Sequence, residues 1–349
     1  MKLSIIILCH NNHHLTIQCT NFLSRCILPL STEIILVDNA SEPPYTERSF
    51  SKFNLNFKLI RNSSNLSFSK ANNIATRKAT GELLLFLNND IQLFKNTIQQ
   101  LLLCYEEGPK PAVIGGKLIY PDKQQVQHAG IFHMIWGIAS NYGVGASPNH
   151  HEINFRRETD ALSGAMLLIQ STFFNKIGKF DEEFYWGYED IDLCMKARKH
   201  GATIIFEPKS EAIHHESYTL KNTKMSLQDE NNYKAYRQKW DKELIPKENH
   251  FLESKLSQKY LNICIYGQGM AAKRLYDYLH KKEINIGGFI DFDTTIDKNE
   301  VWGQPIESPE KSIDRGYDLI IIGSQYFFDI FPKLNKYYKK DMILNPILT

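Results

Sequence analysis

The clearest hydrophobic signal in the chain is an uninterrupted apolar run at 83–87, followed by Asn88, Asn89 and Asp90. A short continuous apolar run is typical of a strand buried on both faces inside a parallel sheet. The polar residues after it can form a turn, which is the better interpretation of this stretch taken alone. They also stand where open α/β sheets bind ligands, at the carboxyl ends of strands.

Similar patterns recur along the first two thirds of the chain. Further apolar runs predict strands at 3–8, 33–37, 57–60, 112–120, 160–170 and 202–206. Helical spacing of apolar residues predicts helices at 14–24, within 65–80, at 171–177 and at 193–200. This alternation predicts an α/β fold with a mostly parallel central sheet.

Polar residues follow several of these strands on what should be one edge of the sheet. His10 and Asn11 follow the first strand, Asp38 and Asn39 the second, and Asp90 a later one. An amide and a carboxylate can hydrogen-bond a nucleobase, and a carboxylate can bind a cation. Each pair could equally be a cap or a turn, but their coincidence on one edge favours a nucleotide site.

The stretch 180–192 carries the densest chemistry, with aromatic residues directly before a run of acids. Glu189, Asp190 and Asp192 open a predicted helix, where negative charge is favourable by itself. That explanation suits Asp192 but leaves the aromatic side chains unexplained. An aromatic face such as Trp186 beside a carboxylate can hold a sugar ring, and such a carboxylate can act as a general base. Gly164 is small at a point where a ligand could approach closely.

Composition narrows the functional classes. The 349 residues are enough for two domains. A net charge of +2 gives no strong field toward nucleic acid. The six cysteines are scattered without a CxxC pair, which predicts free thiols in a reducing compartment. The apolar run near the N-terminus is too short for a signal sequence, and none approaches the length of a membrane span. A cytoplasmic location is expected.

A second domain is predicted at 260–349, after a linker at 246–259. Gly267, Gly269 and Ala272 form G-x-G-x-x-A between a strand and a helix, the context of a phosphate-binding turn. Asp291 follows the next strand, where an acid would meet a ribose. This predicts a small Rossmann-like domain. Because it is short for a dinucleotide fold, an unoccupied packing or oligomerisation module is preferred over a bound nucleotide.

Residues 1–245 resemble a family 2 inverting glycosyltransferase of the GT-A fold, in the branch that makes bacterial surface polysaccharides and includes rhamnosyltransferases. The matching segments are SIIILCHNN, EIILVDNAS, NLSFSKANNIA before LLLFLNND, VIGGKLIYPDKQQVQHAG, and SGAMLLI with GKFDEEFYWGYEDIDLCMKARKHGA and EPKSEAIHH. Each is weak alone, and together they are specific.

The resemblance implies roles for individual residues. The residues implied to bind the nucleotide-sugar donor are His10, Asn11, Asp38, Asn39, Asn73, Asn88, Asn89 and Gly164. Among them, His10, Asp38 and Asn39 would hold the nucleobase. Asp90 stands at the family's Asp-x-Asp motif and would bind Mg²⁺ or Mn²⁺ with His214, for which His215 is the alternative. Asp190 would be the catalytic base, with Trp186 and Glu189 on the acceptor side.

The sequence departs from the family pattern at two positions. Asn88 replaces the first Asp of the motif, and Ser67 stands where a glycine is usual. One fewer carboxylate faces the cation, which puts metal affinity in question.

The resemblance implies transfer of a sugar from a UDP-sugar, or next from dTDP-rhamnose, to a glycan or lipid-linked glycan at the inner membrane face. Peripheral membrane association and homo-oligomerisation through the C-terminal domain stay open. One alternative is a catalytically silent nucleotide-sugar-binding subunit, suggested by Asn88. Another is a nicotinamide-dependent oxidoreductase centred on 267–272.

Overall fold

The computed structural model describes residues 2–215, 225–256, 262–293 and 300–348. For residues 225–229 it describes the backbone only. The chain divides into two compact units. The first consists of Met1–Ile131 and Ser147–Gln238, and the second of Phe132–Ala146 and Lys239–Thr349. We call the 15 residues Phe132–Ala146 the inserted segment, because they interrupt the sequence of the first unit.

The elements alternate between strands and helices in both units. The strands are β1 Leu3–Cys9, β2 Thr32–Asp38, β3 Phe57–Arg61, β4 Leu83–Asn88, β5 Ile91–Leu93, β6 Ala112–Ile119, β7 Val126–His128, β8 Ile131–His133, β9 Ala139–Asn141, β10 Arg157–Glu158, β11 Met166–Gln170, β12 Thr203–His214, β13 Ile263–Tyr266, β14 Ile286–Ile290, β15 Glu300–Val301, β16 Gln304–Glu307, β17 Leu319–Ile322 and β18 Ile343–Leu344. The helices are α1 His13–Leu23, α2 Phe68–Thr76, α3 Thr97–Glu107, α4 Ser171–Lys176, α5 Glu189–Lys199, α6 Met225–Lys255, α7 Met270–Lys281 and α8 Phe327–Leu334.

The first unit is built on one mixed, mostly parallel sheet. Its described strands follow the order β10-β12-β6-β11-β4-β1-β2-β3, with β5 beside β12 and β7 beside β6. Strand β4 lies near the centre, parallel to β1 and antiparallel to β11. The five apolar residues at the start of β4 are buried, as expected for a strand covered on both faces. The predicted α/β fold with a mostly parallel sheet is confirmed.

The second unit has its own sheet, in the order β15-β16-β14-β13-β17-β18. Strands β13, β14, β16, β17 and β18 pair in parallel, and β15 pairs antiparallel with β16. Apolar side chains from both faces of β13 are buried, among them Cys264 and Ile265. The C-terminal domain is therefore a separate α/β unit with mostly parallel strands.

The division into units differs in two ways from the boundaries proposed at 245 and 260. Helix α6 runs from Met225 to Lys255, through most of the stretch expected to be a linker, and the division falls within it. The inserted segment belongs to the second unit although it lies within the sequence of the first. Its Met134, Ile135 and Trp136 are buried in the core of the second unit, which is the physical reason for this assignment. Residues 257–261, at the end of the expected linker, lie outside the described residues.

Among the described residues, none of the helices combines the length and apolar character that crossing a bilayer requires.

Candidate active site

The carboxyl ends of β1, β2 and β4 meet at one edge of the first sheet. Parallel pairing sets Cys9 opposite Asp38, and Leu8 opposite Asn88. The antiparallel neighbour β11 begins at the same edge, because the Asn88 N–H donates to the Ala165 carbonyl oxygen over 2.9 Å. Side chains after three strands and before a fourth therefore share this edge.

Asp38 and Asn39 shape one side of the edge. Asp38 is buried and accepts hydrogen bonds from the backbone N–H groups of Ser41 (2.8 Å) and Tyr45 (3.1 Å) and from the Arg61 guanidinium. Burial alone would raise the pKa of Asp38, but these bonds outweigh it and lower the pKa. The carboxylate is thus held ionised.

The Asn39 side-chain amide is engaged on both ends. It donates to Asn65 Oδ1 (2.7 Å) and to the Leu66 carbonyl oxygen (2.8 Å), and it accepts from Asn62 Nδ2 (2.9 Å) and the Leu66 N–H (3.1 Å). It ties the end of β2 to the loop at 62–66. Direct contact of Asp38 or Asn39 with a base stays a prediction.

His10 and Asn11 follow β1 and lie beside Asn39. His10 Nδ1 lies 2.8 Å from the Asn39 carbonyl oxygen, and Asn11 Nδ2 lies 3.2 Å from His10 Nε2. Asn11 is exposed and has a positive φ of 52°, a conformation that asparagine tolerates better than most residues. The Tyr45 hydroxyl fixes the turn by donating to the Asn11 carbonyl oxygen over 2.6 Å.

Asp90 and His214 lie together at the end of β4. Strand β12 brings His214 alongside Ile91 of β5, and His214 Nε2 lies 3.3 Å from Asp90 Oδ1. Burial would raise the pKa of Asp90, but His214 outweighs it and lowers the pKa. The other ring nitrogen, His214 Nδ1, lies 2.7 Å from Gln127 Oε1. Nε2 has a lone pair available for a cation in the tautomer in which Nδ1 donates its hydrogen to Gln127.

Residues next to this pair have different partners. His215 Nε2 lies 2.5 Å from the amide nitrogen of Gln92, so that ring nitrogen has a partner other than Asp90. Asn88 Nδ2 lies 3.4 Å from His214 Nε2. Asn89 donates to Thr16 Oγ1 over 2.9 Å, which ties the end of β4 to α1. The structure therefore favours His214 over His215 as the partner of Asp90.

The side-chain ligand atoms of Asp90 and His214 fit a divalent cation. Asp90 Oδ1 is buried without a well-formed hydrogen bond among the described residues, and such an atom is costly unless something binds it. A carboxylate oxygen and an imidazole nitrogen are both ligands that Mn²⁺ accepts. No group of three or more acidic, histidine or cysteine ligands occurs in the described part of the chain, so a cation here would need further oxygen ligands from a bound molecule or water.

Asp190 is held at the same edge from the other side. Its Oδ2 accepts the Gly164 N–H over 2.8 Å, and its Oδ1 accepts the Ile191 N–H over 2.8 Å. A Cβ on Gly164 would lie 3.4 Å from the Asp190 Cβ and from the Phe68 ring. These are ordinary van der Waals distances, so Gly164 contributes to the site through its backbone N–H. Burial raises the pKa of Asp190, partly offset by the two N–H bonds.

Glu189 lies buried in the first turn of α5, with 8% of its surface exposed. Burial and the neighbouring Asp190 raise the pKa of Glu189 to about 8. Its Oε2 has no hydrogen-bond partner among the described residues. Burial and the charge of Asp190 therefore favour the protonated form of Glu189 at neutral pH.

The aromatic stretch before α5 is anchored by α6. Asn232 of α6 is buried and donates to the carbonyl oxygens of Trp186 and Gly187, the latter over 3.1 Å. The rings of Tyr188 and Tyr236 lie 5.1 Å apart. Trp186 itself is half-buried beside the exposed Tyr185. The side chains proposed to face an acceptor are thus on a segment fixed through its backbone.

Asn73 is buried, and its side-chain amide forms hydrogen bonds within the protein. It donates to the Phe180 carbonyl oxygen (2.9 Å) and to Glu182 Oε1 (3.0 Å), and it accepts the Phe180 N–H (3.2 Å). This fixes the segment that leads toward Glu189. A place near the nucleotide stays a prediction for Asn73.

The C-terminal candidates line a separate cavity of about 600 Å³ within the second unit. Gly267 follows β13 with a φ of +110°, which favours glycine. Gly269 precedes α7, and Asp291 follows β14. The three residues grouped from the sequence therefore do come together around one space.

Sequence reasoning missed two residues of the site. Gln127, on β7, lies 87 positions before the His214 that it orients, and Asn232 lies 46 positions after the Trp186 carbonyl that it binds. Neither belongs to a motif. The only signal available was that QVQHAG was among the matched segments.

Three family models match the chain. The model described as "Glycosyl transferase family 2" matches residues 4–166. A model described as "N-terminal domain of galactosyltransferase" matches 147–221. The C-terminal region, 259–344, matches a model described as "C2185-like, N-terminal".

Several proteins of similar sequence match just over half of this chain. The O-antigen biosynthesis protein RfbC of Myxococcus xanthus is 28% identical over 193 residues, which is 53% of this chain and 15% of that protein. An N-acetylglucosaminyl-diphospho-decaprenol L-rhamnosyltransferase of Mycobacterium tuberculosis is 25% identical over 218 residues, 55% of this chain and 70% of that protein. An uncharacterised Sinorhizobium fredii protein, y4gI, is 29% identical, and the match spans only 21% of its length.

A solved structure described as GalNAc-T7 with UDP, GalNAc and Mn²⁺ has the same fold, with a TM-score of 0.56 at 17% identity. The match covers 82% of this chain and 55% of that one. The chain therefore carries a family 2 glycosyltransferase domain of the GT-A fold, followed by a C-terminal domain of another kind.

Proposed function

We propose that the first unit is a metal-dependent inverting glycosyltransferase that moves a sugar from a nucleoside diphosphate donor to a hydroxyl of a glycan or lipid-linked glycan. A UDP-sugar is the first candidate donor and dTDP-rhamnose the second. The relatives named for O-antigen biosynthesis and for rhamnosyl transfer support this class of reaction. The observation that carries the proposal is that Asp90, His214 and Asp190 lie around the adjoining ends of β4 and β11.

In this proposal Asp90 and His214 form the cation-binding end of the site. His214 presents Nε2 because Gln127 engages Nδ1, and Asp90 presents an otherwise unbonded oxygen. Mg²⁺ or Mn²⁺ bound there would neutralise the charge that develops on the diphosphate leaving group. Asn88 supplies an amide where a second carboxylate would stand, so we expect weaker metal binding and reliance on the donor phosphates as further ligands.

Asp190 acts as the general base. Two backbone N–H groups fix its carboxylate, and each oxygen keeps a lone pair for an incoming proton. The acceptor O–H bond breaks toward Asp190 as the acceptor oxygen bonds to C1, and the C1–O bond to the diphosphate breaks on the opposite face. Attack opposite to the leaving group inverts the anomeric centre. Because burial raises the pKa of Asp190, the carboxylate is a stronger base than an exposed aspartate.

Asp38, Asn39, His10 and Asn11 form the proposed donor wall. Their hydrogen bonds, to one another and to neighbouring loop residues, fix the loop shape before a ligand arrives, which lowers the entropy cost of binding. Trp186 and Glu189 are proposed on the acceptor side. A protonated Glu189 could donate a hydrogen bond to an acceptor oxygen without competing with Asp190 for the proton.

The test is a donor panel of UDP-hexoses, UDP-N-acetylhexosamines and dTDP-rhamnose, read by release of nucleoside diphosphate with and without Mn²⁺. We expect one donor to be consumed by the unaltered chain only with metal present. Asp90→Ala should lose metal-dependent donor binding in calorimetric titrations. The matched control is Glu106→Ala, which removes an exposed acid on α3 and should bind as the unaltered chain does.

Two outcomes would contradict the proposal. Donor affinity in Asp90→Ala that still rises with Mn²⁺ would remove Asp90 from the metal site. Donor binding by the unaltered chain without any turnover of the panel, with a lipid-linked acceptor supplied, would favour the alternative of a catalytically silent nucleotide-sugar-binding subunit. That alternative rests on Asn88 at the metal motif.

A further inference from the structure

The cavity of the second unit has the size and position of a ligand site. Its volume of about 600 Å³ lies in the range of small-molecule sites. It opens at the carboxyl ends of three parallel strands, where Gly267 follows β13, Asp291 follows β14 and Gly323 follows β17. Strand β13 has its sequence neighbour β14 on one side and the later β17 on the other. Ligands of open α/β sheets bind at such switch points.

One side of the cavity suits an anion. Gln268, Gly269, Met270 and Ala271 line it at the start of the 12-residue helix α7. The first N–H groups of a helix have no partner within the helix and carry partial positive charge. The first turn of α7 contains no acid, and Gly269 makes no side-chain cap.

Two glycines at this end of the sheet have different roles. A Cβ on Gly323 would lie 2.7 Å from the backbone Cα of Ala272, so the end of β17 packs directly on α7. A Cβ on Gly269, in contrast, would meet nothing within 4 Å. Gly269 therefore leaves open the space directly in front of the helix, and that space is part of the cavity.

Other residues of the lining suit the rest of a nucleotide. Asp291 supplies a carboxylate whose Oδ1 lies 3.5 Å from the Tyr266 hydroxyl and accepts the Asp293 N–H over 3.1 Å, which orients it for hydroxyl groups. The inserted segment contributes an apolar wall of Met134, Trp136 and Ile138. Met270 and Tyr326 are largely exposed on the lining, with 71% and 43% of their surfaces accessible.

From this arrangement we propose that the second unit holds a second ligand site, for a nucleoside diphosphate. The diphosphate lies at the start of α7, a ribose hydroxyl meets Asp291, and the base packs on the apolar wall of the inserted segment. The ligand could be a nucleotide sugar or an adenine dinucleotide, which share this chemistry. The site lies within the second unit and does not depend on the function proposed for the first.

The test is calorimetric titration of the full chain carrying Asp190→Asn, in EDTA, with UDP, UDP-N-acetylglucosamine, ADP and NAD⁺ as separate probes. We expect at least one probe to bind with one site per chain. Preference for the uridine probes would identify a nucleotide sugar as the source, and preference for ADP and NAD⁺ a dinucleotide.

The location is tested by a matched pair at Gly269. Gly269→Asp places a carboxylate in front of α7, where it repels phosphate while favouring the helix itself, and should weaken binding at least ten-fold. Gly269→Ala adds a Cβ in open space and should stay within about three-fold. Asp291→Asn keeps the shape of the side chain and should weaken a ribose-containing probe several-fold. Thermal melts check that each variant is folded.

The outcomes separate this proposal from the first. Binding that survives Asp90→Ala but is lost in Gly269→Asp belongs to the cavity. Binding that is lost in Asp90→Ala and unchanged in Gly269→Asp belongs to the first unit and overturns the present proposal. Absence of binding by all four probes at millimolar concentration, in a folded chain, also overturns it.

Discussion

The two units present chemistry at the same place in their sheets but offer different groups there. In the first unit the strand ends carry Asp38, Asp90 and, across β11, Asp190. In the second unit, strand β13 ends in a glycine turn that leads to the acid-free first turn of α7, and Asp291 follows β14. The sheet edge supplies the place in both units, and the residues that follow the strands decide which groups a ligand meets there.

The difference extends to how each site is made ready. The acids of the first unit are held by protein partners, such as Arg61 on Asp38 and His214 on Asp90. The second site relies on backbone N–H groups and on space that Gly269 leaves open. Side-chain substitutions should therefore disable the first site by removing a group, whereas the phosphate end of the second site should be disabled by adding one.

The largest effect is expected at Asp190 of the first site. Asp190→Asn removes the base, and its single amide oxygen can accept from either Gly164 or Ile191 but not from both, so we expect turnover to fall about 10²–10⁴-fold. Donor affinity should stay within a few-fold, because the amide keeps the size of the side chain and one of its two backbone hydrogen bonds. The measurement is kcat and donor Kd on the same preparation.

Turnover of Asp190→Asn at the level of the unaltered chain would remove Asp190 from the role of base. Gly269→Asp serves as the comparison between units. Because it lies in the second unit, it should leave the first unit's transfer rate unchanged with a saturating donor. A large loss there would show that the two sites do not act separately.

A second prediction concerns Gln127, which positions His214 without touching the metal. Gln127→Leu removes the acceptor for Nδ1–H while filling similar space, and loss of such an orienting partner typically costs 10–100-fold in metal affinity. We expect a weaker Kd for Mn²⁺ in the presence of donor. Turnover at saturating Mn²⁺ should change far less.

Gln127→Glu is the matched rescue, because a carboxylate accepts the same Nδ1–H bond. It should restore Mn²⁺ affinity to at least that of the unaltered chain. Equal Mn²⁺ affinity in Gln127→Leu and the unaltered chain would mean that His214 is held without Gln127 or does not bind metal.

Much of this molecule follows from local pattern. The apolar run of β4 is recognisable because a strand buried on both faces needs no polar positions, and the residues after it are placed by the strand that precedes them. The glycine turn before α7 is equally local, since its spacing depends on one strand, one turn and one helix. These features predicted the fold and the edge of each sheet.

What sequence reasoning missed depends on contacts between distant residues. From its position in the sequence, the inserted segment is expected to belong to the first domain. Its Trp136 is instead buried in the core of the second unit. Gln127 and Asn232 are ordinary polar residues until the fold brings them to His214 and to the Trp186 carbonyl. The local hydrophobic pattern of a sequence cannot predict such distant hydrogen-bond partners, because these bonds form only once the sheet and α6 are assembled.

The smallest predicted effect concerns the titration of Glu189, the first of the three acids in the first turn of α5. The pKa of Glu189 is raised from 4.5 to about 8 by burial and by Asp190. Between those two pH values the folded chain holds a proton that the unfolded chain has released. The contribution of Glu189 to the free energy of unfolding is therefore present below about pH 4.5 and falls as the pH rises toward 8.

Glu189→Gln mimics the protonated acid and removes this dependence. From pH 6 to pH 8.5 the Tm of the unaltered chain should fall by a few degrees more than that of Glu189→Gln, since 1 kcal/mol corresponds to about 2–4 °C in a domain of this size. Differential scanning calorimetry of both chains across this range measures it. Turnover at pH 7 should be preserved, because Glu189 is mostly protonated there and Asp190 remains the base. Parallel Tm curves would show that Glu189 titrates normally, whereas a turnover loss as large as that of Asp190→Asn would make the two acids a single catalytic unit.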